Sequence, residues 1–145
     1  MFTNILLVYD GSHSDQQQLL HRLNFNQWRG AAITLAAMIP NNDFVSGAIE
    51  VNYVSDSQRL VFDQEVMTIL NNGVKLLNGM GLNTSGQLVS CDPISQIIEF
   101  SKKQEVDLII LNQSQNKYLA NGWKSRLFIN YVIEQSPCSI LITKG

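Results

Sequence analysis

In Ile5-Leu6-Leu7-Val8-Tyr9-Asp10-Gly11-Ser12, five apolar residues in a row are followed by an acid, a glycine and a serine, and this pattern indicates the fold class. A short apolar run without alternation is typical of a strand that is buried on both faces of a parallel sheet. The Asp-Gly pair predicts the turn that ends this strand. Ser14 and Gln17 then have the spacing of a capping box, which predicts the start of a helix.

The alternation of strand and helix continues along the chain. Further strands are predicted at residues 31–39, 82–91, 107–111 and 138–143, with helices starting near residues 55, 92 and 125. This order indicates an α/β fold, a doubly wound five-stranded parallel sheet with helices on both faces and right-handed crossovers. No linker, repeat or low-complexity block divides the sequence, so residues 1–145 are predicted to form one domain.

Apolar stripes at helical spacing predict which side of each helix faces the sheet. The predicted inward-facing residues are, in helix order, Leu19, Leu20 and Leu23; Phe62, Val66, Ile69, Leu70, Val74 and Leu77; Ile94, Ile97 and Ile98; and Phe128, Tyr131 and Val132.

The composition excludes several classes of protein. Neutral amides number 14 Asn and 12 Gln and outnumber the 22 charged side chains, and the net charge is −2. Nucleic-acid binding requires an excess of Lys and Arg, and disorder requires low apolar content, so neither is expected. No apolar run approaches the roughly 20 residues that span a bilayer, and the first residues lack a basic leader pattern. We expect a cytoplasmic protein that binds neither membrane nor nucleic acid.

In a doubly wound sheet, ligands bind beyond the carboxyl ends of the strands, where the strand order reverses. Two turns after predicted strands carry suitable polar residues: Asp10-Gly11-Ser12-His13 and the stretch that begins at Asn112. The predicted helix starts at Ser14 and Ser125 add backbone N–H groups that suit an anion. These positions define the candidate crevice.

Two segments relate the chain to a known family. One is Asn4-Ile5-Leu6-Leu7-Val8-Tyr9-Asp10-Gly11-Ser12, and the other is Tyr131-Val132-Ile133-Glu134-Gln135-Ser136-Pro137-Cys138-Ser139-Ile140-Leu141-Ile142. With these segments the chain resembles the universal stress proteins, and the resemblance covers nearly its whole length in element order. It implies strand order 3-2-1-4-5, a homodimer in which the last strands pair across the axis, and a cytoplasmic role in the stress response.

Many members of that family bind ATP or AMP through the motif Gly-x2-Gly-x9-Gly-[Ser/Thr], which lies between the fourth strand and the last helix. Glycines let the backbone approach the phosphates, while the hydroxyl and the helix N-terminus hold them. Counted back from Tyr131, the first two glycine positions fall on Gln113 and Asn116, and the last pair falls on Arg126-Leu127. A shift of one residue brings Ser125 to the hydroxyl position but restores no glycine.

Asp10 matches the acid that lies beside the nucleoside in members of the family that bind nucleotides. The resemblance therefore implies contact with a ribose, whereas the residues alone equally allow a carboxylate that caps nearby backbone N–H groups. Arg126 would attract phosphate by its charge. The candidate crevice consists of Asp10, Gly11, Asn112, Gln113, Asn116, Ser125 and Arg126. No catalytic residue and no metal ligand is assigned.

Three other classes fit less well. The Asp10–His13 turn lacks the Gly-x-Ser-x-Gly pattern and the oriented base that a serine hydrolase needs. Asp10, Asp92 and Lys144 imitate a phosphoacceptor receiver domain, but the first strand is followed by one acid rather than a pair. A flavodoxin is disfavoured, because Asp10 and Asp15 would bring two carboxylates toward its phosphate.

The last predicted strand carries Ile140, Leu141 and Ile142, an apolar run with little charge to protect an exposed edge. Pairing with its own copy would cover that edge, so we predict a homodimer through the strand from Cys138 to Thr143. Cys91 and Cys138 belong to opposite edges of the sheet in the implied order, which argues against a disulfide.

Together these observations predict a homodimeric stress-response module that binds or interacts with unknown protein partners and has no catalysis of its own. Nucleotide binding is expected to be weak or absent, so no cofactor is assigned. The alternative is a protein that binds ATP or AMP through a variant loop, with slow hydrolysis. The sequence leaves open whether the segment from Pro40 to Val54 is a lid.

Overall fold

Five strands form one parallel sheet in the computed structural model, which describes residues 1–38, 56–89, 93–113 and 126–144. The strands are β1 (Asn4–Tyr9), β2 (Ala32–Met38), β3 (Asn83–Val89), β4 (Leu108–Gln113) and β5 (Ser139–Lys144). Their order is β3-β2-β1-β4-β5. This confirms the predicted fold class and the strand order that the resemblance implied.

Four α-helices connect the strands among the described residues. They are α1 (His13–Arg22), α2 (Asp56–Gly79), α3 (Pro93–Lys103) and α4 (Arg126–Gln135). A short 3₁₀ helix (Phe25–Trp28), which periodicity did not predict, lies between α1 and β2. In the described part of the chain, no helix combines the length and apolar character that a bilayer crossing requires.

Strand β1 is the centre of the sheet and marks the point at which the strand order reverses. It pairs with β2 on one side, where Leu7 lies opposite Leu35, and with β4 on the other, where Leu7 lies opposite Ile110. The chain runs outward from β1 through β2 to β3, and then crosses to β4 and β5. The crevice expected for this topology therefore lies between the carboxyl ends of β1 and β4.

The core has one layer on each face of the sheet. On the first face, Ile5, Leu7 and Tyr9 pack with residues of α1 and α2, and on the second face Leu6 and Val8 pack with residues of α3 and α4. All five are at most 1% exposed, which confirms that β1 is buried on both sides. The stripes of α2 and α3 are confirmed at Val66, Leu70, Leu77, Ile97 and Ile98.

Several predicted boundaries and faces were wrong. Helix α1 begins at His13 with Ser12 as its N-cap, not at Ser14, because the Ser12 hydroxyl accepts the backbone N–H of Asp15. Strand β4 continues to Gln113, so Asn112 belongs to the sheet rather than to an irregular stretch. Those two residues pair with β5, which lengthens the strand.

The inward face predicted for the last helix was also wrong in part. Tyr131 is 48% exposed and does not belong to the core, whereas Val132 is fully buried. Ile129, which the stripe omitted, is buried with Val132 on the second face. The predicted Phe128 lies at a position whose side chain is outside the described part of the structure.

Strands β3 and β5 are the two edges of the sheet. On β5, Ile140 and Ile142 pack against the second face, while Leu141 points to the other face and is 40% exposed. Cys138 is half-buried with a free thiol just before β5, and Cys91 lies outside the described residues.

Candidate functional site

The turn that follows β1 is held by its own side chains. The Asp10 carboxylate accepts the backbone N–H of Ser12 at 2.8 Å and also the Ser12 hydroxyl. The Ser12 hydroxyl in turn accepts the backbone N–H of Asp15 at 3.1 Å and so caps α1. Asp10 therefore caps the backbone N–H of Ser12, a role that the residues alone allowed, and the residue is 9% exposed.

Gly11 is the residue that lets the chain turn so tightly. Its φ of +87° lies in the left-handed region, which side chains other than glycine adopt only with strain. A Cβ at this position would lie 3.0 Å from the carbonyl oxygen of Met38, at the end of β2. The turn after β1 therefore requires glycine both for its backbone conformation and for its close approach to the neighbouring strand.

Asp15 extends this turn into the crevice. One of its carboxylate oxygens accepts the backbone N–H of Asp10 at 2.8 Å, and the other accepts the side-chain amide N–H of Asn112 at 2.7 Å. The side chain is only 3% exposed, although it is an ionisable group on the first turn of a helix. A buried carboxylate needs such donors, because burial without them is costly. Asp15 thus joins α1 to the end of β4.

Asn112 is the centre of the polar cluster. Its side-chain oxygen accepts two hydrogen bonds, from an Arg22 guanidinium N–H at 2.6 Å and from the Thr143 hydroxyl at 2.7 Å. Its amide nitrogen donates to Asp15, so three of its four hydrogen-bonding positions are used. The side chain is 1% exposed. One asparagine therefore connects α1, β4 and the edge strand β5.

Tyr9 lies on the core side of the same region, on the first face of the sheet. Its hydroxyl is fully buried and has no hydrogen-bond partner in the described part of the chain. Burial raises the pKa of Tyr9 well above its ordinary value, and this outweighs the opposing effect of the neighbouring Gln16 amide; the negative charges of Asp10 and Asp15 raise the pKa further. The hydroxyl therefore stays protonated.

The structure brings together three of the seven predicted crevice residues, namely Asp10, Gly11 and Asn112 around the ends of β1 and β4. Gln113 follows as the final residue of β4, and Arg126 is the first residue of α4. Asn116 and Ser125 lie outside the described residues. The assignment of these residues to a ligand site stays a prediction.

Sequence reasoning missed three members of the cluster: Asp15, Arg22 and Thr143. The spacing of Ser12 and Asp15 is a signal that was available, because a hydroxyl residue followed three positions later by an acid is typical of a helix start. Nothing in the sequence marks Arg22 or Thr143, since each reaches Asn112 from an element that is distant along the chain.

The chemistry of the cluster is that of a closed polar network. Two carboxylates, one guanidinium and one amide lie together, and the described residues contain no group of His, Cys, Asp or Glu that could hold a metal ion. In open α/β sheets of this kind, ligands generally bind at the switch point, which here lies between the carboxyl ends of β1 and β4.

Residues 1–144 match the model of the Universal stress protein family, and the chain therefore belongs to this family. This confirms the resemblance seen in the two end segments. The comparison with curated protein sequences gives no significant match.

Solved structures of low sequence identity share the fold. The hypothetical protein MJ0577 is 20% identical, with a TM-score of 0.74 and coverage of 100% of this chain and 97% of that chain. The universal stress protein from Archaeoglobus fulgidus in complex with dAMP is 12% identical, with a TM-score of 0.57 and coverage of 97% of each chain. A family protein from Arabidopsis thaliana with AMP bound is 12% identical, with a TM-score of 0.56 and coverage of 98% and 91%.

Proposed function

We propose that the protein is a homodimeric, cytoplasmic module of the stress response that binds other proteins, catalyses no reaction and binds nucleotides weakly or not at all. The observation that carries this proposal is the state of Asn112. Its amide, which is 1% exposed, is hydrogen-bonded to Asp15, Arg22 and Thr143 at the switch point of the sheet. The protein's own side chains thus fill the end of the crevice.

Electrostatics supports the same proposal. The turn after β1 presents the carboxylates of Asp10 and Asp15, which are 9% and 3% exposed. A phosphate placed beside them would meet like charge at low dielectric, where repulsion is stronger than in water. The glycines that would let phosphates approach the backbone are replaced by Gln113, Asn116 and Arg126 in this sequence.

The second candidate is a protein that binds ATP or AMP through a variant loop and hydrolyses ATP slowly. Two structural neighbours contain dAMP and AMP, and both share the fold. Arg22 also places a guanidinium at the crevice, where it could move from Asn112 to a phosphate. This candidate requires the Asn112 network to open when nucleotide enters.

Release of bound nucleotide distinguishes the two candidates. Purified protein is denatured and the supernatant is assayed for adenine nucleotides, and native protein is heated with and without Mg-ATP. The proposal predicts no released nucleotide and no shift in melting temperature. Stoichiometric ATP or AMP in the supernatant would instead establish the second candidate.

The proposed dimer uses β5, an edge of the sheet with an exposed Leu141. Tyr131 and Ile133 on α4, the helix that precedes β5 in the chain, are also about half exposed. An unprotected apolar edge favours pairing with a second copy.

Light scattering at micromolar concentration tests the dimer. The wild type is expected to have the mass of a dimer, and Leu141→Asp that of a monomer, because the substitution puts a charge into the edge. Leu76→Asp is the matched control, since Leu76 is 50% exposed on α2 and should leave the dimer intact. A monomeric wild type would refute the dimer.

A further inference from the structure

We infer that Asn112 is a latch that couples the crevice between β1 and β4 to the edge strand β5. An unbroken series of hydrogen bonds crosses four elements of the structure. It runs from the Thr143 hydroxyl on β5 to the Asn112 oxygen, and from the Asn112 amide to the Asp15 carboxylate. Asp15 then accepts the backbone N–H of Asp10, at the exit of β1.

Each hydrogen bond of this series has a fixed donor and a fixed acceptor, so the loss of any one side chain affects the bonds of the others. The Thr143 hydroxyl has one proton, and its shortest acceptor is Asn112 at 2.7 Å, compared with 3.4 Å to the carbonyl of Leu111. That proton and the Arg22 donor fix the Asn112 oxygen on the β5 side, which points the amide N–H groups toward Asp15. If the Asn112 amide were flipped, its N–H groups would face the donors of Arg22 and Thr143.

Burial explains why the network opens as a unit. Asn112 and Asp15 are both almost inaccessible to water, so a broken bond leaves a buried polar group without a partner. A network with all its hydrogen bonds formed is therefore favoured over one in which only some are broken. The members of such a network form and break their hydrogen bonds together. A ligand that displaces the Asn112 amide from the crevice releases β5 from α1 in the same step.

The coupling is reciprocal, because linkage requires each end to affect the other equally. Whatever holds β5 in place also holds Asn112 in the crevice. If β5 is the edge at which two copies meet, as proposed above, dimer formation and ligand entry influence one another through this residue. That consequence rests on the proposed function, whereas the latch itself does not.

The test changes one end of the network and observes the other. Thr143→Val keeps the shape of the side chain and removes the hydroxyl, and hydrogen exchange of the Asp10 amide is followed by NMR in the full chain. We expect the exchange of the Asp10 N–H to become about fivefold faster, the effect of one lost hydrogen bond in a coupled network. Thr143→Ser keeps a hydroxyl at this position, so the Asp10 N–H should exchange at the wild-type rate in this variant.

Thr84→Val is the matched control. The Thr84 hydroxyl is buried without a hydrogen-bond partner in the described part of the chain, so its removal should leave the Asp10 amide unchanged. The amide of Leu35, in the middle of β2, reports general loss of stability. An Asp10 rate that stays constant in Thr143→Val, or that changes only in proportion to the Leu35 rate, would overturn the latch.

The reverse experiment uses Asp15→Asn, which keeps the size of the side chain but turns one acceptor oxygen into a donor. The amides of β5 that pair with β4 should then exchange several-fold faster, while Leu35 is unaffected. No change in β5 would contradict the coupling. A failed dimer proposal would appear separately, in the light-scattering mass, and would leave these exchange results standing.

Discussion

Strand β1 is tied to β4 by a carboxylate at each of its ends, but the two ends differ in burial. At the amino end, Asp107 accepts the backbone N–H groups of Thr3 and Asn4 at 2.8 and 3.0 Å, in a position partly open to water. At the carboxyl end, Asp15 and Asn112 make a similar connection within the protein. Similar hydrogen bonds thus form an exposed clamp in one place and a closed network in the other.

The difference shows how burial changes the consequence of a polar contact. At the amino end water can replace a lost partner, so the Asp107 clamp stabilises the protein only by the net free energy of its own hydrogen bonds. At the carboxyl end water has little access, and a lost partner leaves an unsatisfied group behind. In the latch proposed above, a ligand would therefore have to replace the network's hydrogen bonds in order to enter.

The largest effect is expected from Asn112→Ala, which breaks the buried connection. Removing the amide leaves Asp15, Arg22 and Thr143 without their shared partner and lowers the free energy of unfolding by roughly 2–4 kcal/mol. Urea unfolding measures this loss. Asn4→Ala at the amino end is the comparison, because it keeps the backbone N–H that binds Asp107 and removes only an exposed side-chain amide that donates to the Gln104 carbonyl. A loss there as large as at Asn112 would remove the distinction between the two ends.

A smaller effect is expected from Gly11→Ala at the carboxyl end. Strain at the positive φ and the contact with the Met38 carbonyl lower stability by about 1–3 kcal/mol. Gly30→Ala is the matched control, because Gly30 has a φ of +95° but no atom within 4 Å of the added Cβ. The loss of stability in Gly30→Ala should come from backbone strain alone. Equal losses in the two variants would therefore show that the close contact between Gly11 and the end of β2 contributes nothing.

The smallest effect is expected from Asp107→Asn at the exposed end, with a loss of roughly 0.5–1 kcal/mol near pH 7. Burial alone would raise the pKa of Asp107, but the hydrogen bonds from Thr3 and Asn4 outweigh it and lower the pKa. The stabilisation is therefore present above the unfolded pKa, near 4, and is lost as the pH falls through the lower folded value.

The measurement for Asp107 is urea unfolding of wild type and variant between pH 7 and pH 2. The difference between the two proteins should shrink as the pH falls below about 4. A difference that is constant over this range would show that the charge of Asp107 contributes nothing to the clamp.

The candidate site was predictable only where its residues are neighbours in the chain. Asp10 and Gly11 follow an apolar run directly, and a turn there needs no other part of the molecule. Asn112 was expected in an irregular stretch after the fourth strand, because an amide gives no strand signal, but it belongs to that strand. Its strand conformation depends on pairing with β5, where it lies opposite Thr143.

Tyr131 illustrates the same limit within a helix. Its spacing from Val132 and Phe128 suggested an inward face, but only the packing of α4 against the second face of the sheet determines which residues are covered. The structure buries Ile129 and Val132 and leaves Tyr131 outside. The half-exposed aromatic side chain of Tyr131 is a feature that the sequence pattern alone did not reveal.

The order of strands and helices, the buried character of β1 and the family could be predicted from the amino-acid sequence, because these depend on local runs and spacings. The hydrogen bonds that join Asn112 to Asp15, Arg22 and Thr143 arise only in the tertiary structure, and so does the contrast between the buried Asn112 and Asp15 and the partly exposed Asp107. The reason is physical: hydrogen bonds between residues 31 to 97 positions apart exist only once the sheet has assembled, and burial is a property of what packs around them.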